Sequence, residues 1–152
     1  MGVKSDVSLG LKAWRAFHKI RISLLPPLVR HLSEQSGLSE AEYQVFIGLA
    51  TSENGQMKPS QLAEELGWDL GRLSHQVTRM ESKGLLTKQQ CPIDARSCWV
   101  GATKKGQSIF NKAQPAQNKE VERLFADALT NEQMRSLIEI AEAIELNVKR
   151  RT

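Results

Sequence analysis

The sequence predicts a mainly α-helical fold that contains one short β-hairpin. Apolar residues recur at helical spacing over most of the 152 residues, and glycines and capping sequences divide this pattern into separate helices. Residues 86–102 differ, because Thr87, Trp99 and Val100 favour strands and Pro92-Ile93-Asp94-Ala95 is typical of a hairpin tip. We therefore expect helices on both sides of a two-stranded hairpin.

The first predicted helix runs from about Val7 to Leu32. Its apolar face continues past Pro26 and Pro27, although a proline inside a helix kinks or breaks it. We therefore expect one long, kinked helix rather than two separate ones. Its apolar face consists of Trp14, Phe17, Leu24, Leu25, Leu28 and Leu32.

Three shorter helices are predicted next. The spacing of Ser39 and Glu42 is that of a capping box, which opens the second helix. Pro59 is suited to the start of a third helix that Gly67 ends, and Asp69 is a favourable N-cap for a fourth. We expect the fourth helix to turn an apolar stripe inward, formed by Leu70, Leu73, Val77 and Met80.

Helix returns from about Thr103, with Pro115 as an expected kink. A second capping box, Thr130 to Gln133, opens the last helix. One side of that helix is apolar and is formed by Met134, Leu137, Ile138, Ala141, Ile144 and Val148.

Positive charge is concentrated in one part of the chain. Residues 72–105 contain seven basic and two acidic residues, whereas the net charge of the whole chain is +4, so the remainder is close to neutral. A basic patch on an otherwise balanced protein indicates a polyanionic partner. Basic surfaces without a function are also common, so charge alone does not identify that partner.

The chain lacks the sequence signs of an enzyme or of a metal or cofactor protein. It contains no glycine-rich phosphate loop and no G-x-S-x-G sequence, and we predict no catalytic residues and no cofactor. His18, His31 and His75 are scattered and lack metal-ligand spacing.

The sequence predicts a cytoplasmic protein without a membrane partner. Lys4 and Asp6 interrupt the region where a signal peptide would have its apolar segment, and no run approaches the roughly 18 apolar residues of a membrane span.

Two short helices joined by Gly67-Trp68 and followed by a basic hairpin predict a winged helix-turn-helix. A helix fits the major groove of B-DNA, where its outward side chains meet base edges. An ordinary amphipathic surface helix would show a similar pattern. If the apolar stripe faces inward, the outward residues of the fourth helix are Gly71, Arg72, Ser74, His75, Thr78 and Arg79.

Residues 38–106 resemble the MarR family of bacterial regulators. The resemblance rests on the order and spacing of Leu38-Ser39, Leu62-Ala63-Glu64-Glu65-Leu66-Gly67, Leu73 with Met80-Glu81-Ser82-Lys83-Gly84-Leu85, Asp94-Ala95-Arg96 and Ala102-Thr103-Lys104-Lys105-Gly106. The chain departs from the family pattern at Lys88, where arginine is common, and at Ser97, where a second basic residue is common.

The resemblance implies a regulator, expected to be a repressor, that binds double-stranded DNA at a near-palindromic operator. The helix from Asp69 to Lys83 would enter the major groove, and Arg96 in the wing would enter the minor groove. Further DNA contacts are expected from Ser60, Lys83, Lys88 and Asp94.

The resemblance also implies a homodimer, because the first and last helices of two subunits interlock in the family. The broad apolar stripes of these helices favour the same assembly, although packing within one chain is the alternative. We expect N-terminal dimerisation residues 1–35, a DNA-binding lobe at 36–106 and C-terminal dimerisation residues 107–152.

The sequence leaves several signals open that could control DNA binding by such a regulator. Many relatives bind small aromatic or anionic effectors, so we predict an effector pocket in which Arg15 or Arg21 pairs with a carboxylate of the ligand. The alternative is ordinary packing, because aromatic residues at helical spacing more often belong to the core. A redox response through Cys91 and Cys98 is an alternative, as is a winged helix that binds protein rather than DNA. The predicted pocket residues are Trp14, Phe17, His18, Arg21, Tyr43 and Phe46.

Overall fold

The computed structural model of the chain describes residues 7–90 and 98–152. Its elements, in order, are α1 (Leu9–Ser36), α2 (Glu40–Ala50), β1 (Gln56–Met57), α3 (Pro59–Leu66), α4 (Leu70–Ser82), β2 (Leu86–Gln90), β3 (Cys98–Ala102), α5 (Lys104–Leu124) and α6 (Asn131–Arg151), with a 3-10 turn at Ala126–Ala128 before α6. The mainly α-helical fold with a hairpin between helices is confirmed.

Both predicted capping boxes are present. The Ser39 hydroxyl accepts from the Glu42 N–H and the Glu42 carboxylate accepts from the Ser39 N–H, each at 3.1 Å. At α6 the Thr130 hydroxyl accepts from the Gln133 N–H at 3.1 Å, and the Gln133 side chain accepts from the Thr130 N–H at 2.9 Å. These reciprocal bonds satisfy N–H groups that a helix start leaves free, which is why the two helices begin where they do.

The prolines do not end the helices that contain them. Helix α1 continues through Pro26 and Pro27, and α5 continues through Pro115. The single long first helix is therefore confirmed, whereas the kinks at these prolines stay predictions.

A three-stranded sheet has the order β1-β3-β2, with β3 antiparallel to both neighbours. Strand β2 pairs with β3 from Leu86 opposite Ala102 to Gln90 opposite Cys98. Strand β1 adds one short ladder in which Gln56 lies opposite Gly101. The hairpin strands were expected, whereas the two-residue β1 was not.

The chain divides into two units, residues 1–28 with 118–152 and residues 29–117. We call the first the terminal unit and the second the winged-helix unit. The winged-helix unit contains the buried apolar core, in which Phe46, Leu62, Leu73, Val77, Met80 and Val100 are at most 2% exposed. Helices α2, α3 and α4 and the sheet therefore pack around one apolar centre.

The terminal unit has a different surface. Helix α6 has no buried residue, and α1 has none within this unit. Large apolar side chains are exposed on both helices, namely Leu9, Leu11, Trp14, Phe17, Ile20, Ile22, Leu25, Ile138, Ile140, Ile144, Leu146 and Val148. We call this set the exposed apolar surface. Among the described residues, no helix combines the length and apolar character needed to cross a membrane.

Candidate nucleic-acid interface

The turn between α3 and α4 fixes how α4 is presented. Gly67 adopts a left-handed conformation with φ of 65°, which a residue with a side chain rarely adopts. The Trp68 N–H then donates to the Ala63 carbonyl at 2.9 Å, and the Asp69 carboxylate accepts from the Arg72 N–H at 2.8 Å. The predicted helix end at Gly67 and N-cap at Asp69 are therefore confirmed.

Helix α4 is divided into a buried and an exposed face. Leu73, Val77 and Met80 are buried in the core, as expected, together with Gln76, which the sequence pattern did not indicate. The predicted outward residues are all exposed: Gly71, Arg72, Ser74, His75, Thr78 and Arg79. This face presents hydroxyl, imidazole and guanidinium groups, which can donate hydrogen bonds to phosphates and exchange them with base edges.

The prediction that Leu70 faces inward is wrong. Its side chain is 53% exposed and is the one large exposed apolar side chain among the described residues of the winged-helix unit. Leu70 is the first residue of α4, so it precedes the turn at which the helix meets the core. Helical periodicity alone does not reveal where contact with the core begins.

Two of the basic residues predicted to contact DNA have acidic neighbours. Lys83 donates a hydrogen bond to Glu42, whose side chain is only 5% exposed. Lys88 in β2 lies 3.9 Å from Glu81, and both of those side chains are exposed. Ser60, in the first turn of α3, is exposed.

The wing is described only in part. Strands β2 and β3 are present, whereas Asp94, Arg96 and Cys91 lie outside the described residues. Cys98, the other member of the proposed redox pair, is half-buried in β3 with a free thiol. The minor-groove role of Arg96 and the redox alternative therefore stay predictions.

The residues predicted to bind an effector are distributed over both units. On α1, the Trp14 ring lies 5.8 Å from that of Phe17 and 5.1 Å from that of His18, and Arg21 follows one turn later on the same exposed side. In the winged-helix unit, Tyr43 and Phe46 are buried, with their rings 5.6 and 5.4 Å from Phe110. The predicted effector pocket therefore stays a prediction.

The terminal unit contains a cavity of about 700 Å³ that sequence reasoning missed. Its lining comes from α1, the end of α5, the 3-10 turn and α6 and is mainly apolar, with Lys19 and Glu132 as its charged members. Its apolar members Ile20, Leu24, Phe125, Leu137 and Ile140 look in the sequence like ordinary core positions. Among the described residues, no group of three or more His, Cys, Asp or Glu could hold a metal ion.

Comparisons with known proteins agree with this geometry. Residues 38–98 match the model of the MarR family. The uncharacterized HTH-type transcriptional regulator YkoM of Bacillus subtilis (strain 168) is 24% identical over 140 residues, which cover 92% of this chain and 89% of YkoM.

Two solved structures of MarR-family transcriptional regulators from Streptomyces coelicolor are similar over nearly the whole chain. Sco3205, solved in complex with DNA, is 26% identical with a TM-score of 0.86, covering 93% of each chain. AbsC is 27% identical with a TM-score of 0.87, covering 97% of this chain and 99% of AbsC. The resemblance to the family and the winged helix-turn-helix fold are confirmed, and the similar proteins are transcriptional regulators.

Proposed function

Residues 38–98 match the model of the MarR family, and from this match we propose that the chain is a MarR-type regulator, a homodimeric repressor of a near-palindromic operator. Helix α4 of each subunit enters the major groove of one half-site, and the wing reaches the adjacent minor groove. The observation that carries the proposal is the outward face of α4. Five polar residues and one glycine are exposed there, opposite the apolar stripe that is buried in the core.

The DNA complex of Sco3205 supports the choice of partner, because that protein is similar over 93% of this chain. Charge supports the same choice: Arg72 and Arg79 are exposed on α4, and Lys104 and Lys105 are exposed at the start of α5. A protein-binding face would instead be expected to carry aromatic and aliphatic anchors at its centre. On the α4 face, only Leu70 is of that kind.

The exposed apolar surface supports dimerisation. A monomer rarely exposes a contiguous apolar patch of more than a few hundred Å². Helix α6 exposes Ile144 and Val148 on one side, one helical turn apart. A second copy of the chain would remove these side chains from water and would place two recognition helices about one DNA turn apart.

A small aromatic or anionic effector completes the proposal. It would release DNA by favouring a conformer in which the two recognition helices no longer match the half-site spacing. Trp14, His18 and Arg21 supply aromatic and basic groups along one exposed side of α1. The 700 Å³ cavity of the terminal unit, which none of these three residues lines, is within the size range of small-molecule sites.

The test is selection of random duplex DNA by the purified chain, followed by affinity measurement across salt concentrations. Enrichment of a motif with two inverted half-sites supports the dimeric regulator. Absence of enrichment, with weak binding that disappears at moderate salt, would reduce the interaction to nonspecific charge attraction. Benzoate added to the complex with the selected motif tests the effector: a dose-dependent loss of the bound fraction supports release.

A further inference from the structure

Trp68 and Arg72 form a contact at the N-terminal end of the proposed DNA-facing side of α4. The Arg72 guanidinium lies 4.1 Å from the centroid of the Trp68 ring. At this distance a cation is attracted by the negative face of the ring. Among the ion pairs within residues 7–90 and 98–152, none includes Arg72, so its positive charge is not neutralised by a carboxylate there.

The backbone builds this contact. Gly67 turns the chain, the Trp68 N–H bonds to the Ala63 carbonyl, and the half-buried indole packs against the core. The Asp69 side chain caps α4 by accepting the Arg72 N–H. Both ends of the contact are therefore fixed at the main chain, so the indole offers the arginine a rigid surface.

A rigid surface matters for base recognition, because a free arginine side chain has many rotamers and loses them when it binds. An arginine that contacts guanine through two hydrogen bonds needs its planar guanidinium in one orientation. A contact to phosphate has a looser requirement, since a phosphate offers several oxygens over a wider range of angles. Stacking on an indole restricts the guanidinium plane while leaving its N–H edges free.

We propose that Trp68 is a positioning residue of the DNA-binding surface, which holds the Arg72 guanidinium in the orientation that reads a guanine. The proposal rests on the proposed function, because it needs a sequence-specific site. It goes beyond that function by assigning a role to a residue of the turn, outside the recognition helix. The alternative is that Trp68 only fills space beside the core and that its contact with Arg72 is incidental.

Two substitutions separate these alternatives. Trp68→Phe keeps an aromatic face, whereas Trp68→Leu keeps apolar bulk without one. If Trp68 only fills space, any difference between the two variants follows side-chain bulk and is the same whether or not Arg72 is present. If the aromatic face positions Arg72, phenylalanine retains function and leucine loses it. Thermal unfolding of both variants, measured without DNA, checks that the winged-helix unit stays folded.

The experiment measures affinity for the motif selected by the unmodified chain and for copies in which single guanines are replaced by 7-deazaguanine. This analogue lacks the N7 acceptor that an arginine uses. At one guanine, the replacement should lower the affinity of the unmodified chain but not that of Arg72→Ala. That guanine is the one that Arg72 contacts. We expect Trp68→Leu to weaken binding of the selected motif roughly three- to tenfold. We also expect it to reduce discrimination at that guanine, and Trp68→Phe to preserve both.

The background of Arg72→Ala supplies the decisive control. There, Trp68→Leu should cause no further loss, because the residue that it positions is absent. An equal loss in both backgrounds would overturn the proposal, as would unchanged discrimination by a folded Trp68→Leu variant or tighter binding by it. These failures are distinct from failure of the proposed function, in which the unmodified chain selects no motif at all.

Discussion

Lys83, the residue that ends α4, donates a hydrogen bond to the carboxylate of Glu42 in the first turn of α2. Glu42 is buried and also accepts the Ser39 N–H at its other oxygen, whereas the Lys83 side chain is largely exposed. One carboxylate therefore caps α2 and also attaches the end of α4 to it. A residue expected from the sequence to contact DNA has a structural partner within the winged-helix unit.

Lys83→Met should destabilise the fold. The substitution leaves the buried Glu42 carboxylate with one hydrogen bond fewer, and we expect the free energy of unfolding to fall by about 1–3 kcal/mol. Lys88→Met is the matched control, because Lys88 and Glu81 are both exposed and 3.9 Å apart, so their pair should contribute less than about 1 kcal/mol. Urea unfolding measures both variants; equal losses would contradict a special role for the Glu42–Lys83 pair.

Arg96→Ala should weaken binding of the selected operator and relax its preference for A·T-rich flanks. An arginine in the wing is expected to enter the narrow, electronegative minor groove that such sequences form. Competition binding with operators of altered flanks measures the effect, and Arg135→Ala on α6 serves as a control for loss of one positive charge. An Arg96→Ala variant with unaltered affinity and flank preference would remove the wing arginine from the mechanism.

Ile144→Glu should convert the proposed dimer to a monomer. Ile144 is 58% exposed in the chain, and a charge at that position would have to be buried without a partner when two copies associate. Arg135→Glu introduces the same residue nine positions earlier, two and a half turns away and thus on the opposite side of α6. Sedimentation should detect dissociation for Ile144→Glu alone. A dimer that persists in this variant would mean that the exposed apolar surface is not the interface.

Gly106→Ala should destabilise the winged-helix unit. A Cβ at this position in α5 would lie 2.1 Å from the Leu85 carbonyl oxygen, which belongs to the backbone and cannot rotate away. We expect this overpacking to lower the free energy of unfolding by about 1–3 kcal/mol. Gly10→Ala in α1 is the contrasting case, because its nearest atom would be the Ser8 hydroxyl oxygen at 3.9 Å. The helix preference of alanine should there stabilise the chain by at most about 0.5 kcal/mol, because Gly10 lies in the first turn of α1. Thermal unfolding of both variants tests the opposite signs.

Burial raises the pKa of Tyr43 above its ordinary value of 10.0. The unfolded chain therefore ionises this phenol at a lower pH than the folded chain. The contribution of Tyr43 to stability is complete below pH 10.0 and is lost as the pH rises through the folded pKa. Tyr43 is the single tyrosine of the chain, so tyrosinate absorbance reports it alone. As the pH rises above 10.0, Tyr43→Phe should lose less stability than the unmodified chain. A midpoint of the tyrosinate titration at pH 10.0 would contradict the effect of burial on the pKa of Tyr43.

The helix boundaries were predictable because they depend on local chemistry. Ser39, Gly67, Asp69 and Thr130 act through hydrogen bonds or backbone conformations within a few residues, so the sequence contains the whole interaction. The outward face of α4 was predictable for the same reason, since it follows from a periodic stripe.

The features that the sequence did not reveal depend on distant residues. Strand β1 is two residues long and exists through its pairing with β3, so no local period marks it. Leu70 conforms to the apolar period but lies where α4 has not yet met the core. The ion pair joins Lys83 to Glu42, which lies 41 positions earlier on another helix.

The sheet order has a consequence for the timing of folding during synthesis. Gln56 pairs with Gly101, 45 positions later, and β3 supplies the partner of both other strands. Helices α3 and α4 lie between these positions, and their own backbone hydrogen bonds are local in sequence. The sheet, by contrast, must wait for the last strand, and closing this loop costs chain entropy before any pairing stabilises it. The sheet is therefore expected to close only after both helices have been synthesised, so the proposed DNA-binding surface should be complete only once β3 has paired.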